Sequence, residues 1–445
     1  MEYLDLARLA VEEAQARGAA ASEAYLLDAD SLTIELAEGK VETLKLAQDT
    51  GIGVRVISHA GEVGFAYSTA IQNEDIHQLI QQALSNSKKS FGDTNYRLPD
   101  LVKTIPHMSL LDPQIVNVAV EEKIDLVRKL EDAAKSLDTR ITKSERCMYQ
   151  DTRYGVALAN SKGLSHYYRA GYCGLYGSVL ANQAGDIQSG MSLSYKRHMT
   201  ALDPQQVGRE AAKQAIMLLG AQNIATTKAT VLLSPYVSAN FLSVLTSSFS
   251  ADAVHKGKSI FRGQMEEKVM SEQLTIIDDG TLSDGIATSP IDGEGVLTQR
   301  TCLINNGFLT QFLHNCYTAS RDGVGSTGNG VRNSFKSVTD VGPSNIYIQA
   351  GQKDPDELIG EVENGFYVTG VMGLHTANPI SGDFSLGASG VWIKQGRFAH
   401  AVRGVAIAGN LLDLFSKVEA VGSDLTFFGS QGAPTMRVTD VTISG

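Results

Sequence analysis

The amino-terminal half of the chain repeats one order of elements twice, and this limits the folds open to it. A helix is predicted over Tyr3 to Arg17, followed by the strand-like runs "EAYLLDAD", "LTIELAEGKVETLKLAQ" and "GIGVRVISHAGEVGFAYST", and then a helix over Glu74 to Ser87. Farther on come helix Val120 to Leu137, the runs "ITKSERCMYQ", "YGVALANSKGLSHYYRAGYCGLYGSVLA" and "GDIQSGMSLSYKR", and helix Pro204 to Leu219. Leu4, Leu6, Leu9, Ala10 and Ala14 recur at helical spacing, whereas the strand runs break at glycine turns such as Glu38-Gly39 and Ala60-Gly61. Residue identity between the two units is slight, so the duplication rests on the order of elements. Helices at both ends of an antiparallel sheet make an α+β domain. The polar, proline-containing stretch Phe91 to Pro113 connects the units.

At 445 residues the chain exceeds what one hydrophobic core organises, so two domains are expected. The polar, aperiodic segment "AQNIATTK" (Ala221 to Lys228) divides an α+β domain, residues 1–220, from a strand-rich domain, residues 229–445. In the second domain the run "ATVLLSP" leads into a helix for which Ser234 is the N-cap and Pro235 the first helical position. Asn306-Gly307 in "LTQRTCLINNGFLTQFLHN" signals a type I′ hairpin, and "SGVWIKQGRFAHAV" a second one around Gln395-Gly396. Only two more helices are evident, Pro355 to Glu363 and Asn410 to Val418.

The charge balance narrows the partners. There are 38 basic against 49 acidic residues, a net charge of -11, which disfavours phosphate backbones and anionic lipid. No apolar run reaches membrane-spanning length, and the first residues lack the basic and apolar regions of a signal peptide. Cys147, Cys173, Cys302 and Cys316 form no CxxC pair, so reduced thiols in the cytoplasm are expected.

Several residues invite a chemical reading. The helix after Ser234 carries Phe241, Leu242, Leu245 and Phe249 on one face and Ser243, Thr246, Ser247 and Ser250 on the other. Such hydroxyls bond back to carbonyls one turn earlier when the helix is partly buried. His314 and Cys316 alternate on one predicted strand, while a regular hairpin puts Cys302 on the opposite face. A Cys/His/Cys metal cluster therefore falls apart, leaving buried cysteines and a satisfied histidine. Asp252 and His255 stand three apart and could meet as an ion pair. Asp292 and Glu294 in "PIDGEG" suit either acid–base work or an ordinary turn. The glycine-rich "RDGVGSTGNGVR" and "ISGDFSLGASG" permit close backbone approach but lack the phosphate-loop pattern. Trp392 reads as a core residue, with an interface anchor as the alternative.

Three blocks carry a family resemblance: "SPIDGEGVLTQRTCLINNGFLTQFLHNCYTASRDGVGSTGNGVR", "MGLHTANPISGDFSLGASGVWIKQGRF" and "VAIAGNLLDLFSKVEAVGSD". Together they resemble the carboxy-terminal half of the TldD/PmbA family, whose PmbA/TldE branch was historically described as a modulator of DNA gyrase. The resemblance implies a two-domain α+β protein that pairs with a second family member around an enclosed cavity, in a cytoplasmic metallopeptidase acting on unfolded or extended peptides. TldD-type chains carry His-Glu-x-x-x-His and a late cysteine, a set able to hold zinc and activate water. With "KGKSIF" as anchor, those positions fall here on Leu242, Ser243 and Ser247. None of the nine histidines precedes a glutamate, and no cysteine follows Cys316. The resemblance thus implies a PmbA/TldE-type subunit without its own metal, catalytic or cofactor residues, with zinc in a TldD-like partner. It also points Gly328, Gly330, Ser381, Gly382, Asp383 and Gly387 toward the shared cavity as peptide-contact candidates. The alternative is a stand-alone homodimer that binds peptides or a small ligand without hydrolysis.

Overall fold

The computed structural model describes residues 3–445. Its first unit runs α1 (Tyr3–Ala16), β1 (Ala21–Ala37), β2 (Lys40–Ile57), β3 (Val63–Ser68) and α2 (Asn73–Ser87). After the short α3 (Pro113–Asn117), the second runs α4 (Val120–Leu137), β4 (Ile141–Asn160), β5 (Ser165–Gln183), β6 (Asp186–Lys196) and α5 (Pro204–Met217). The six strands form one sheet in the order β3-β2-β1-β4-β5-β6. The units meet where β1 and β4 pair antiparallel, from Glu23 opposite Asn160 to Leu36 opposite Cys147. An antiparallel pair relates its strands by a two-fold axis, so the repeated element order becomes a pseudo-symmetric sheet.

Each unit seats its helices on one face of its strands. Leu6 and Ala10 of α1 and Ile76 and Ile80 of α2 pack on Leu26, Ile52 and Val54. Val127 and Leu130 of α4 cover Leu32, Ile34, Leu36 and Tyr149. Burying each such aliphatic side chain stabilises the fold by roughly 1.5–3 kcal/mol. The outer strands use the same device twice: a Cβ on Gly64 would strike the Ala83 carbonyl of α2, and one on Gly190 would strike Ala211 and Ala215 of α5.

The second domain begins with β7 (Thr227–Leu233), α6 (Pro235–Leu245) and α7 (Ala251–His255). Next come β8 (Ile276–Asp279), β9 (Arg300–Asn305), β10 (Phe308–Leu309), α8 (Cys316–Asp322), β11 (Gly330–Val331), β12 (Asp340–Val341) and β13 (Ile346–Ile348). Then follow α9 (Pro355–Gly360), β14 (Asn364–Met372), β15 (Asp383–Lys394), β16 (Arg397–Asn410) and α10 (Leu411–Ser416). The last strands are β17 (Val418–Val421), β18 (Thr426–Phe428), β19 (Gln431–Ala433) and β20 (Met436–Ser444). One sheet has the order β16-β15-β14-β7-β20-β17, and β16 also pairs with β20, which closes it into a barrel. A second six-stranded sheet, β10-β9-β8-β13-β19-β18, packs beside it, and β11 and β12 form a small separate pair. The architecture is therefore two-domain α+β, with the strand-rich half carboxy-terminal.

Both predicted hairpins turn where expected, with positive φ at Asn306 and Gly307 and at Gln395 and Gly396. Trp392 is a core residue: it is buried, and its Nε1 donates to Asn364 Oδ1 at 2.9 Å. Three local expectations fail. The hairpin strand β10 ends at Leu309, so His314 and Cys316 do not alternate on a strand. Second, Cys316 opens α8, a helix beyond the two that the sequence made evident. Asn315 caps that helix by accepting from Thr318 N, and Gly323 ends it in the left-handed region. The third concerns the helical periodicity through Phe249, which spans three pieces: α6, a 3₁₀ turn over Thr246–Phe249, and α7.

Candidate functional site

The segment aligned with the family's metal helix starts as the sequence dictates. Ser234 Oγ accepts from Val237 N, and Pro235 occupies the first turn, where no backbone donor is needed. Phe241, Leu242, Leu245 and Phe249 are fully buried. Phe241 meets Phe384 edge-on at 5.2 Å, and Phe249 stacks on Phe261 at 4.9 Å. On the other face Ser243 Oγ donates to the Asn240 carbonyl at 2.7 Å, and Thr246 Oγ1 to the Leu242 carbonyl at 3.1 Å. These hydroxyls satisfy the helix's own backbone rather than reaching a ligand. Ser247 is exposed, and neighbouring Ser248 is buried and donates to the Pro379 carbonyl at 3.1 Å.

That bond ties the turn to the loop before β15, where three of the peptide-contact candidates lie together. Ser381 Oγ donates to Asp383 Oδ2 at 2.7 Å, and Asn410 Nδ2 bridges the Ser381 carbonyl and Asp383 Oδ1. The Asn410 and Ser381 donors hold the Asp383 carboxyl below its usual range. Gly382, in the left-handed region, lies between Ile260 and Asn410. Ser381 and Asp383 are exposed, as are the flanking Ile380 and Met372, and Gly387 lies half-buried beside Met372. The face so formed has main chain, hydroxyls and two large apolar side chains.

Gly328 and Gly330 lie elsewhere, buried at the junction between the domains. Gly330 N donates to Asp292 Oδ2 at 2.8 Å, and Gly328 abuts the Leu297 backbone. Asp292 also accepts from Glu294 N and Val296 N. Glu294, fully buried, accepts from Arg55 at 3.2 Å, Cys316 N at 2.7 Å and Thr339 Oγ1 at 3.0 Å. Arg55 reaches Glu23 at 2.8 Å, and Arg332 also pairs with Glu23 while lying over the Tyr25 ring. Two guanidiniums thus balance Glu23 and Glu294. Asp292 has no such countercharge, and burial, followed by the charge of Glu294, pushes its carboxyl up to about 7 against the three backbone donors. The turn that joins Asp292 to Glu294 is thus a charged bolt between domains. Sequence reasoning missed its other members because Glu23 and Arg332 stand 309 residues apart. The available signal was a charged residue inside an apolar run, as in "ASEAYLL" and "GVRVI".

The remaining candidates find ordinary partners. The expected Asp252–His255 pair is not made: Asp252 pairs with Lys256 at 2.7 Å, one helical turn on, and His255 Nε2 with Asp322 at 2.7 Å. His314 is not the satisfied histidine expected, since its buried Nδ1 lacks a partner, and burial holds the ring below its usual pKa. Burial, with Glu294 and Asp292 nearby, raises the Cys316 thiol far above its ordinary value, so it is unreactive. Among the described residues, no group of three or more His, Cys, Asp or Glu is placed to hold a metal ion. Leu242 in the core, Ser243 on its own backbone and exposed Ser247 do not fit zinc.

Comparison with known proteins now decides the lineage. The PmbA/TldA metallopeptidase domain 1 matches residues 22–87, the central domain residues 113–219 and the C-terminal domain residues 226–445. The chain belongs to the PmbA/TldD family. It is 28% identical to Metalloprotease PmbA of Escherichia coli, with 93% of this chain and 90% of the relative covered. It is 29% identical to a metalloprotease of Methanothermobacter thermautotrophicus, with 93% of each covered. A proposed DNA gyrase modulator of Thermotoga maritima superposes with a TM-score of 0.92 at 27% identity, each chain fully covered. TldE from Thermococcus kodakarensis shares the fold with a TM-score of 0.90 at 20% identity, covering 99% of this chain and all of that one.

Within this PmbA/TldD chain the buried carboxyls give a pH signature. Burial pushes Asp278 to about 6, as it pushes Asp292 to about 7. A raised acid binds its proton more tightly in the folded state, so stability falls as pH rises from the unfolded value through the folded one. The half-buried His166 and the buried His314, shifted down by burial, act with the opposite sign, but only below their ordinary 6.5. Between pH 6.5 and 8 the loss from Asp292 is expected to be about 1 kcal/mol. Urea unfolding across that window checks it, and Asp292→Asn should flatten the slope.

Proposed function

We propose that this chain is the non-metallated, PmbA/TldE-type subunit of a cytoplasmic metallopeptidase complex. A TldD-like partner supplies zinc, the base and hydrolysis. This chain closes the shared cavity and helps hold an unfolded or extended peptide. The observation that carries the reading is Leu242, fully buried where the metallated branch needs a histidine. The loop from Ile380 to Asp383, with Met372 and Gly387, forms this chain's part of the peptide surface by main-chain pairing and apolar contact. A folded substrate offers no free backbone to such a surface, which selects for unfolded chains. No helix among the described residues is long and apolar enough to cross a membrane, which accords with a complex in solution.

The test mixes the purified chain with a family member bearing His-Glu-x-x-x-His. Alone, the chain is expected to hold no stoichiometric zinc and to leave an unfolded peptide uncut; the mixture should elute as a complex and cleave it. Zinc and turnover in the isolated chain would overturn the reading. Peptide binding without complex formation or cleavage would favour a stand-alone homodimeric binder instead.

A further inference from the structure

A cavity of about 360 Å³ lies where the segment connecting the two amino-terminal units crosses the second domain. One wall is the stretch from Arg97 to Val102, and another is α8 with the loop that follows it, Gly325 and Ser326. Leu98, Val102, Val296, Ala319 and Cys316 make the lining largely apolar. The volume falls near the lower end of the roughly 300–1,000 Å³ of small-ligand sites.

The connecting segment is fixed in place without a ligand. Tyr96 stacks on Tyr317 of α8 at 4.4 Å, and Tyr317 OH donates to Asp93 Oδ2 at 3.0 Å. Lys162, in the turn between β4 and β5, donates to the Leu98 carbonyl and to Asp100 Oδ1, both at 3.0 Å. A wall held in this way loses little freedom when a ligand enters.

Three donors of the lining are left over. Arg97 is exposed and makes no ion pair or hydrogen bond among the described residues. On the opposite side of the sequence, Gly325 N and Ser326 N find no acceptor among the described residues. A Cβ on Gly325 would touch nothing within 4 Å, so there is room beside that loop. Asp100 is the one carboxylate of the lining, and Lys162 holds it ionised. The lining thus carries two cations against one anion, in a chain whose net charge is -11.

We propose that this cavity binds the carboxyl end of a peptide whose last residue has an apolar side chain. The carboxylate pairs with Arg97, the side chain enters the apolar lining, and the last peptide carbonyl accepts from the main-chain donors of the Gly325–Ser326 loop. A fatty acid carries an acceptor only at its head and so meets the donors of one wall alone. The site shares no residue with the loop from Ile380 to Asp383. The inference goes beyond the proposed function, since it requires neither zinc nor a partner subunit.

The test is calorimetric titration of the full chain with N-acetyl-leucyl-leucine, with the carboxamide of that dipeptide, and with octanoate. The dipeptide acid should bind about ten-fold more tightly than either of the others. Arg97→Gln, at an exposed position, should keep the melting temperature, weaken the acid about ten-fold and bring it level with the amide. Arg97→Lys should lose only part of that affinity. Lys103→Gln removes an exposed cation of the same segment from outside the lining and should leave all three ligands unchanged. Equal binding of acid and amide, an Arg97→Gln chain that still prefers the acid, or an equal loss from Lys103→Gln overturns the proposal. So does octanoate as tight as the dipeptide, or no binding of the dipeptide at about 5 mM. Zinc and peptide cleavage are not read, so the outcome is independent of the metallopeptidase reading.

Discussion

Arg55→Met is expected to lower the folding free energy by about 3–5 kcal/mol, seen as a reduced urea midpoint. Arg55 is buried between Glu23, at 2.8 Å, and Glu294, at 3.2 Å, and so joins the amino-terminal sheet to the second domain. Burial opposes its charge, but the two carboxylates outweigh that and hold the guanidinium protonated. Without it Glu294 stays fully buried beside Asp292 with no cation, and Glu23 retains only Arg332. The cost is mainly that of the abandoned carboxylates rather than the worth of the bond itself. Arg55→Met combined with Glu294→Gln should therefore be less unstable than the two single effects added together. Additive effects, or a loss under about 1 kcal/mol for Arg55→Met alone, would mean that solvent reaches the cluster.

Restoring the family motif should fail. Leu242→His/Ser243→Glu/Ser247→His is expected to take up less than about one zinc per ten chains and to unfold more easily by about 3 kcal/mol. Leu242 is fully buried in the layer formed by Phe241, Leu245 and Phe249, so a histidine there enters a hydrocarbon core rather than a cavity. The late cysteine of the metallated branch is also missing, since no cysteine follows Cys316. Elemental analysis and a thermal melt of the triple variant decide it. Stoichiometric zinc would mean that the helix can turn its Leu242 face outward, against its packing.

The element order of the amino-terminal half could be read from the sequence because each unit carries its own periodicity and its own turn glycines. That the units share one sheet could not, because the pairing of Glu23 to Leu36 with Cys147 to Asn160 has no local signature. The helix opened by Cys316 was hidden by the apolar pair Phe312-Leu313, which prolongs a strand pattern that the backbone abandons at Leu309. Its capping signature, Asn315 with Thr318 and then Gly323, was nonetheless present. At the candidate site, absent zinc ligands are a matter of residue identity and so were plain from sequence. The contacts of Ser248 with Pro379 and of Asn410 with Ser381 depend on tertiary approach and were not.

Closure of the barrel sets an order on biosynthesis. The stave that completes it, β20, lies against β7, roughly two hundred residues earlier, and pairs with β16 through Ile443 and Ser444. A ribosome releases those residues after every other strand described here. The amino-terminal sheet can thus assemble while translation proceeds, whereas the carboxy-terminal half must wait with β7 and β16 unsealed, a nascent state in which chaperone protection matters most.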